Sequence, residues 1–206
     1  HVIETGGGST HGHHARPEDL WFLWGMAAMN SVQSYTTTAK FLHWLVLGLL
    51  IVEFGIAWTM PHMGGNTPMG TLIGLHFSFG VLILGVAIIR LVWMATHGAP
   101  AADDMPAWQH RSAIMVHWLL YSLLFVLPIL GWLAASWRGY PVSLFGLVEM
   151  PKRLATRMQG WQWTGDIHGF LATYVLLTLV GLHVLAALYH HFIRRDNVLK
   201  RMLPKL

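Results

Sequence analysis

Histidine is the residue type best placed to do chemistry in this chain of 206 residues, which has 14 His, 13 Lys plus Arg, and no Cys. Without Cys, the chain has no disulfide, no thiolate metal site and no thioether-linked prosthetic group. Six histidines fall within or at the ends of long apolar stretches: His43, His76, His117, His168, His183 and His190. An imidazole in hydrocarbon costs on the order of several kcal/mol unless it finds a polar partner. A hydrogen bond to a neighbouring helix, a proton relay and metal ligation are therefore the three interpretations to separate.

The elements that carry these histidines are four apolar stretches of about 20 residues, the length that crosses a bilayer as a helix. They cover residues 41–60, 70–94, 113–136 and 168–192. Hydrophobic residues make up 54% of the chain and charged residues 11%, against about 25% charged in soluble domains. This composition excludes a soluble enzyme and a disordered chain. Because the backbone must satisfy its own hydrogen bonds in lipid, we predict an all-α, transmembrane four-helix bundle.

Lysine and arginine are unevenly divided between the two ends of the predicted bundle. With the N-terminus inside, the inner side holds eight: Lys40, Arg90, Arg111, Arg194, Arg195, Lys200, Arg201 and Lys205. The outer side holds four: Arg138, Lys152, Arg153 and Arg157. The excess predicts a multi-pass protein of the bacterial inner membrane with both termini cytoplasmic. The net charge of +4 is attributed to orientation and lipid contact, and nucleic acid is not an expected partner.

The first 33 residues differ from the rest of the chain. They contain a run rich in Gly and His at 6–14 and only a short apolar patch at 20–29. The acidic residues at 18 and 19 stand where a signal peptide would carry positive charge. We expect residues 1–33 to be a leader, a tag or a mistranslated extension, disordered or peripheral, ahead of a membrane domain over residues 34–206.

The depth of each histidine separates the three interpretations. His168 and His183 are 15 residues apart, which in a helix means roughly 22 Å along the axis and an angular offset of about 60°. In the predicted topology, His43 lies at the inner level with His183, and His76 at the outer level with His168. Two facing imidazoles at one level are the ligands that a non-covalent haem b requires. A zinc or copper site would need three or four clustered ligands, so the pattern predicts two bis-His haems stacked across the bilayer.

Three further residues within the predicted spans have candidate roles. Gly80, four residues after His76, leaves room for a flat macrocycle, with ordinary small-residue helix packing as the alternative. Arg90, 14 residues after His76, falls near the inner pair, where a haem propionate or a lipid phosphate would be its partner. Glu53 is the one acid inside a predicted span, and it is either functional or hydrogen-bonded to a neighbouring helix.

Short motifs surround the histidines, and two further motifs lie in the outer loop. They are Phe41-Leu42-His43-Trp44, Gly74-Leu75-His76, Asp166-Ile167-His168, Gly181-Leu182-His183, Leu188-Tyr189-His190-His191 with the basic tail 194–199, Arg138-Gly139-Tyr140-Pro141 and Phe145-Gly146-Leu147. As a set they resemble the bacterial di-haem cytochrome b561 family, over roughly residues 34–204. The resemblance implies that His43, His76, His168 and His183 are the haem ligands, in agreement with the pairs reached from depth.

The resemblance also implies an activity, because the best-described enzymatic role in that family is superoxide oxidase. The chain would then be a superoxide:ubiquinone oxidoreductase with two haem b groups and ubiquinone as the electron acceptor. Arg138, Lys152 and Arg153 in the outer loop would attract the superoxide anion, with a merely solubilising loop as the alternative. The competing function is a non-catalytic electron-transfer subunit that links a partner dehydrogenase or a periplasmic carrier to the quinone pool. The expected partners are membrane lipid, ubiquinone, and either superoxide or a redox partner protein.

Two histidines at the inner end remain to be placed in this scheme. His190, seven residues after His183, continues the same helix face and is a candidate hydrogen-bond donor or proton supplier to the quinone. A side chain at the membrane interface is the alternative interpretation of its position. His117 opens the third span at the inner level, where it would bond a haem propionate, bond a quinone or sit at the interface.

Overall fold

The computed structural model describes residues 34–63, 67–100, 105–151 and 162–204. Four long helices account for most of them: α1 (Thr37–Thr59), α2 (Thr71–His97), α3 (Ala107–Trp137) and α4 (Trp163–Arg194). Each is long and apolar enough to cross a membrane. The predicted all-α, four-helix membrane bundle is confirmed, with helix bounds a few residues away from those of the apolar stretches. The predicted extension over residues 1–33 lies outside the described residues.

Local sequence explains where the helices begin and end. α1 is capped by Thr36, whose Oγ1 accepts a hydrogen bond from the Ala39 N–H at 3.2 Å. α2 ends at Gly98, whose φ of +70° is adopted readily only by glycine. α3 follows Pro106, whose ring fixes φ close to the helical value. Between these ends the sequence is mainly apolar, and large side chains such as Trp58 are exposed on the outer surface, where lipid would cover them.

α4 is one continuous helix that contains two wide turns. Residues Leu171–Leu176 and His190–Arg194 have π-helical hydrogen bonding, in which a turn takes up an extra residue. The first wide turn lies between His168 and His183. It changes the angle between these two side chains from the value of a regular α-helix, so sequence spacing alone does not set their relative orientation.

Both ends of the described chain meet at one end of the bundle, called here the terminal face. The segment after α4 returns to the start of α1, where the Lys40 Nζ donates to the Leu203 carbonyl at 2.9 Å. One turn later, the Trp44 Nε1–H donates to the Met202 carbonyl at 2.9 Å. Lys40 is buried in this arrangement. The uneven distribution of Lys and Arg predicts that the terminal face is cytoplasmic.

The opposite end, called here the hairpin face, carries the only strands among the described residues. β1 (Ser143–Leu144) and β2 (Val148–Glu149) form an antiparallel hairpin with Ser143 opposite Glu149. Ser78 of α2 fastens this hairpin to the bundle, because its Oγ donates to the Ser143 carbonyl at 2.9 Å and accepts from the Phe145 N–H at 3.0 Å. The hairpin is thereby held against the side of α2, two turns from the start of that helix.

The buried core consists of three clusters that fix the helices against one another. The first joins α1, α2 and α3: Leu42, Val46, Leu49, Ile83, Val86, Ala87 and Leu124. The second joins α2, α3 and the loop before the hairpin: Ile73, Phe77, Ala135 and Val142. The third joins α3 and α4: Leu123, Leu127 and Leu176. These contacts set the distances between the helices that carry the histidines.

Candidate functional site

Two histidines from different helices face each other near the hairpin face. The rings of His76 in α2 and His168 in α4 have centroids 6.0 Å apart and planes at 89°. His76 lies in the second turn of α2 and His168 in the second turn of α4, so both side chains lie at the same end of the bundle, and their rings meet there. This is the outer pair that the depth of the residues predicts.

A second pair of histidines lies toward the terminal face. The rings of His43 in α1 and His183 in α4 have centroids 6.1 Å apart and planes at 60°. The ring of His117 in α3 lies 5.1 Å from that of His183, and its Nδ1–H donates to the Ala113 carbonyl at 2.6 Å. His117 therefore borders the inner pair from the exposed side, as an additional histidine with its own backbone partner.

The separation of the rings fits an axial metal centre. Nitrogen–metal bonds of about 2.0–2.1 Å on both sides, added to the two ring radii, place the centroids of a bis-imidazole complex roughly 6 Å apart. Both pairs meet this distance. Among the described residues, no group of three or more His, Cys, Asp or Glu is arranged to hold a metal ion, which is the arrangement a zinc site would need. The donor set and its spacing therefore fit a metal that would be held by two imidazoles, one from each helix.

Each ring of the outer pair has an oxygen atom close to its Nδ1, so Nε2 is the nitrogen that would take a metal. The His168 Nδ1–H donates to the Leu127 carbonyl of α3 at 2.9 Å. The His76 Nδ1 lies 2.8 Å from the Glu53 Oε1 of α1, although its N–H is not aligned for a hydrogen bond. Partners of this kind fix the tautomer and the orientation of metal-binding histidines.

A cavity of about 770 Å³ surrounds the outer pair. Its size falls in the range of about 300–1,000 Å³ that is typical of ligand and cofactor pockets. Gly80 and Gly131 both line it, and their lack of a side chain keeps it open. A Cβ at Gly131 would lie 3.1 Å from the His168 Cε1, and one at Gly80 would lie 3.8 Å from the Glu53 Oε1. Gly131 therefore gives room to the His168 ring, whereas a Cβ at Gly80 would make only an ordinary van der Waals contact. Gly80 does line the cavity, where the sequence predicts space for a macrocycle.

Arg138 supplies the positive charge of this cavity. Its side chain is one of the lining groups together with His76 and His168. The guanidinium lies over the Trp137 ring at 5.3 Å and is packed so closely on α4 that a Cβ at Gly165 would lie 3.1 Å from its Nη1. Lys152 and Arg153, which the sequence groups with Arg138, lie outside the described residues.

Arg90 is buried near the inner pair. Its Nη1 donates to the Ala39 carbonyl at 2.8 Å, one turn before His43, and its Nε donates to the Tyr121 hydroxyl at 3.1 Å. Arg90 is only 7% exposed, and its contact one turn before His43 makes it a buried cation close to the inner level. Either predicted partner, a haem propionate or a lipid phosphate, would have to share it with these two protein acceptors.

His190 forms a close pair with Asp196 at the end of α4. The His190 Nδ1 lies 2.5 Å from the Asp196 Oδ2, and the Val198 N–H donates to Oδ1 at 3.1 Å. Partial burial by itself would raise the pKa of the Asp196 carboxyl. The hydrogen bonds from His190 and Val198 and the positive charges of His190 and Arg194 outweigh that effect, so this pKa lies below its ordinary value of 3.8. The carboxylate thus holds the His190 ring in place at the terminal face.

Sequence reasoning assigns no role to three contributors, Gly131, Leu127 and Asp196, and leaves the role of a fourth, Glu53, open. The Gly131 backbone and the Leu127 carbonyl were not predicted, because nothing in a helical stretch of α3 indicates which neighbour its backbone will meet. Asp196 was included only in the basic tail motif. For Glu53, the available signal is that an acid lies inside a span. This signal indicates that the acid has a partner but does not identify His76 as that partner.

The sequence has clear relatives among known proteins. Residues 34–205 match the family described as prokaryotic cytochrome b561. Cytochrome b561 homolog 2 of Escherichia coli K12 is 31% identical over 189 residues, which cover 87% of this chain and 96% of that protein. The probable superoxide oxidase CybB of Yersinia pestis is 34% identical over 174 residues, which cover 80% of this chain and 92% of that protein. Cytochrome b562 of Cereibacter sphaeroides is 25% identical over 180 residues, or 85% of this chain and 98% of that protein.

Proposed function

The chain belongs to the prokaryotic cytochrome b561 family of haem b membrane electron-transfer proteins, and we propose that it oxidises superoxide at the hairpin face and reduces ubiquinone at the terminal face. In this proposal the protein lies in the bacterial inner membrane with the terminal face toward the cytoplasm. The observation that carries the proposal is the cavity in which Arg138 stands beside His76 and His168. It offers a cation and a pair of metal ligands in one opening, which suits a small anionic electron donor.

Four histidines would hold two haem b groups in this proposal. His76 and His168 would ligate the outer haem, and His43 and His183 would ligate the inner haem. The ring centroids of each pair lie about 6 Å apart, which supports this assignment. A bound haem b supplies a one-electron carrier at each level. The side chains fix where the carriers would sit, because α4 provides one ligand to each level and so holds the two levels in a constant relation.

Arg138 acts on the donor in this scheme. Its guanidinium keeps a positive charge at every physiological pH, and its packing against Trp137 and Gly165 restricts its position. A fixed cation in the cavity lining raises the local concentration of a small anion and its rate of encounter, against the opposing charges of Glu53 and Asp166 in the same lining. Release of dioxygen needs no proton, so no acid or base is required on the hairpin face.

The terminal face must supply protons as well as electrons, because ubiquinone takes up two of each. Two superoxide anions give up one electron each and leave as dioxygen, and ubiquinone with two protons becomes ubiquinol. His190, oriented by Asp196, is the proposed hydrogen-bond partner and proton donor for the quinone. His117, which lies next to His183 and is exposed, is positioned to border the same quinone.

Rapid mixing of the oxidised, haem-loaded protein with superoxide tests this function. We expect the Soret and α bands to change to those of the reduced protein, and added superoxide dismutase should prevent the change. If superoxide leaves the bands unchanged while dithionite reduces them, the proposal is wrong. The non-catalytic electron-transfer subunit, fed by a dehydrogenase or a periplasmic carrier, then takes its place.

A further inference from the structure

Glu53 is an acid in an unusual place. It is the only Asp or Glu in the sequences of α1, α2 and α3, and it lies well inside the span of α1. Its side chain is 14% exposed, and the partner ring of His76 is 11% exposed. One carboxylate oxygen is 2.8 Å from the His76 Nδ1, and the other is buried with no hydrogen-bond partner among the described residues. A carboxylate at this depth is costly, so its retention calls for an interaction that compensates it.

The chemistry of imidazole indicates what that interaction does. A carboxylate beside Nδ1 keeps the proton on that nitrogen, so Nε2 carries the lone pair that a metal needs. It also makes the ring a stronger electron donor, which stabilises the oxidised state of a bound metal. Gly80, four residues after His76, lies beside this carboxylate, since a Cβ there would be in van der Waals contact with the Glu53 Oε1 at 3.8 Å.

The two levels of the bundle therefore differ in charge. Near the hairpin face, the carboxylate of Glu53 contacts His76 and the neutral Leu127 carbonyl contacts His168, while Arg138 and Asp166 line the same cavity with opposite charges. Near the terminal face, no carboxylate contacts His43 or His183 among the described residues, while the guanidinium of Arg90 is buried one turn from His43. A negative charge next to one carrier lowers its reduction potential, and a positive charge next to the other raises it.

We propose that Glu53 is a positioning residue that fixes the His76 ring through Nδ1 and lowers the reduction potential of the hairpin-face haem relative to the terminal-face haem. The inference rests on the proposed function, in so far as it requires two haems. Its consequence is a direction: an electron that enters at the hairpin face moves toward the terminal face with a favourable change in free energy. The carboxylate then serves electron transfer without touching the donor, the acceptor or the metal.

The test is a potentiometric titration of the purified, haem-loaded protein, in which the two haems are followed by their α bands and by the g values of the oxidised protein. Glu53→Gln keeps the shape and removes the charge, so we expect one midpoint potential to shift to a more positive value and the other to stay in place. Glu53→Asp keeps the charge and should restore most of the original difference. Glu149→Gln makes the same chemical change in the exposed hairpin and should leave both potentials unchanged.

Two outcomes would overturn the inference. One is a Glu53→Gln protein that holds both haems with both midpoint potentials and both sets of g values unchanged. The other is a Glu53→Asp protein whose outer haem is shifted in potential although the charge is kept, because the charge of the carboxylate would then not set the difference between the haems, whether or not Glu53→Gln retains the outer haem. The haem content of the unaltered protein separates this from the proposed function: fewer than two haems per chain contradicts the ligand assignment itself, whatever Glu53 does.

Discussion

The backbone of Gly131 faces the ring of His168 so closely that a Cβ at this position would lie 3.1 Å from the ring Cε1. The same ring donates a hydrogen bond to the Leu127 carbonyl, one turn earlier in α3. One helix thus fixes this histidine twice, by a hydrogen bond that turns the ring and by a missing side chain that lets it approach. The proposed outer ligand is therefore positioned by backbone groups of a neighbouring helix.

Enlarging Gly131 tests this arrangement. We expect Gly131→Leu to push the His168 ring out of position and to lower the haem content from two per chain toward one, because the inner pair is untouched. The pyridine haemochromogen assay with a protein determination measures this ratio. Gly55→Leu is the matched control, since Gly55 is exposed on α1 and a Cβ there meets nothing within 4 Å. A Gly131→Leu protein with two haems and an unaltered spectrum would show that the close approach is unimportant.

Replacement of single ligands tests the pairing. We expect His76→Ala to remove the outer haem and His183→Ala to remove the inner haem, each leaving the spectrum of the other pair, since each ring faces a different partner. His110→Ala changes an exposed histidine at the start of α3 and should keep both haems. Loss of both haems, or of neither, in the two ligand variants would contradict the assignment of two independent pairs.

Arg138 should control the rate of reaction with superoxide. Because Arg138→Gln removes this positive charge, we expect it to slow haem reduction by superoxide about 10-fold or more. The dependence of that rate on ionic strength should also become weaker. Stopped-flow mixing at several salt concentrations measures both. Arg111→Gln removes a cation from the terminal-face end of α3 and should change neither quantity. Equal rates for the Arg138 variant and the unaltered protein would assign the attraction to other residues of the loop.

The contact between His190 and Asp196 makes a prediction for pH. Because the pKa of Asp196 is lowered in the folded protein, its stabilising effect is complete above the ordinary value of 3.8 and is lost as the pH falls through the lowered value. At pH 7, we expect Asp196→Asn to lose about 1 kcal/mol of stability and to slow ubiquinone reduction, since the His190 ring loses its anchor. Thermal unfolding in detergent at pH 7 and below pH 3 checks the first effect. A stability difference that persists undiminished at the acidic pH would contradict this origin.

Much of the fold follows from the sequence because membrane helices leave a strong signal. Four apolar stretches of sufficient length have one stable conformation in lipid, and the even number of spans brings both ends to one face. The depth of each histidine also follows from its distance to the ends of its span, and the structure brings together the same residues, His43 with His183 and His76 with His168. Their role as ligands stays a prediction.

The remaining features depend on how the helices pack, which spacing does not determine. The π-helical turn at Leu171–Leu176 alters the rotation of α4 between its two histidines, and no residue type in that segment signals it. The approach of Glu53 to His76 and of Gly131 to His168 depends on the relative rotation of three helices that are apolar on most sides. A helix without a polar face gives no periodic pattern from which such rotation can be derived.

The central claim is that electrons pass from superoxide to ubiquinone through this chain, and ubiquinol formation tests it most directly. The haem-loaded protein is placed in liposomes that contain ubiquinone and is supplied with superoxide, and the ubiquinol formed is quantified against the superoxide consumed. We predict one ubiquinol for every two superoxide anions, and a rate that falls to that of protein-free liposomes in His76→Ala. Ubiquinol formation at the protein-free rate by the unaltered, fully haem-loaded protein would contradict the claim.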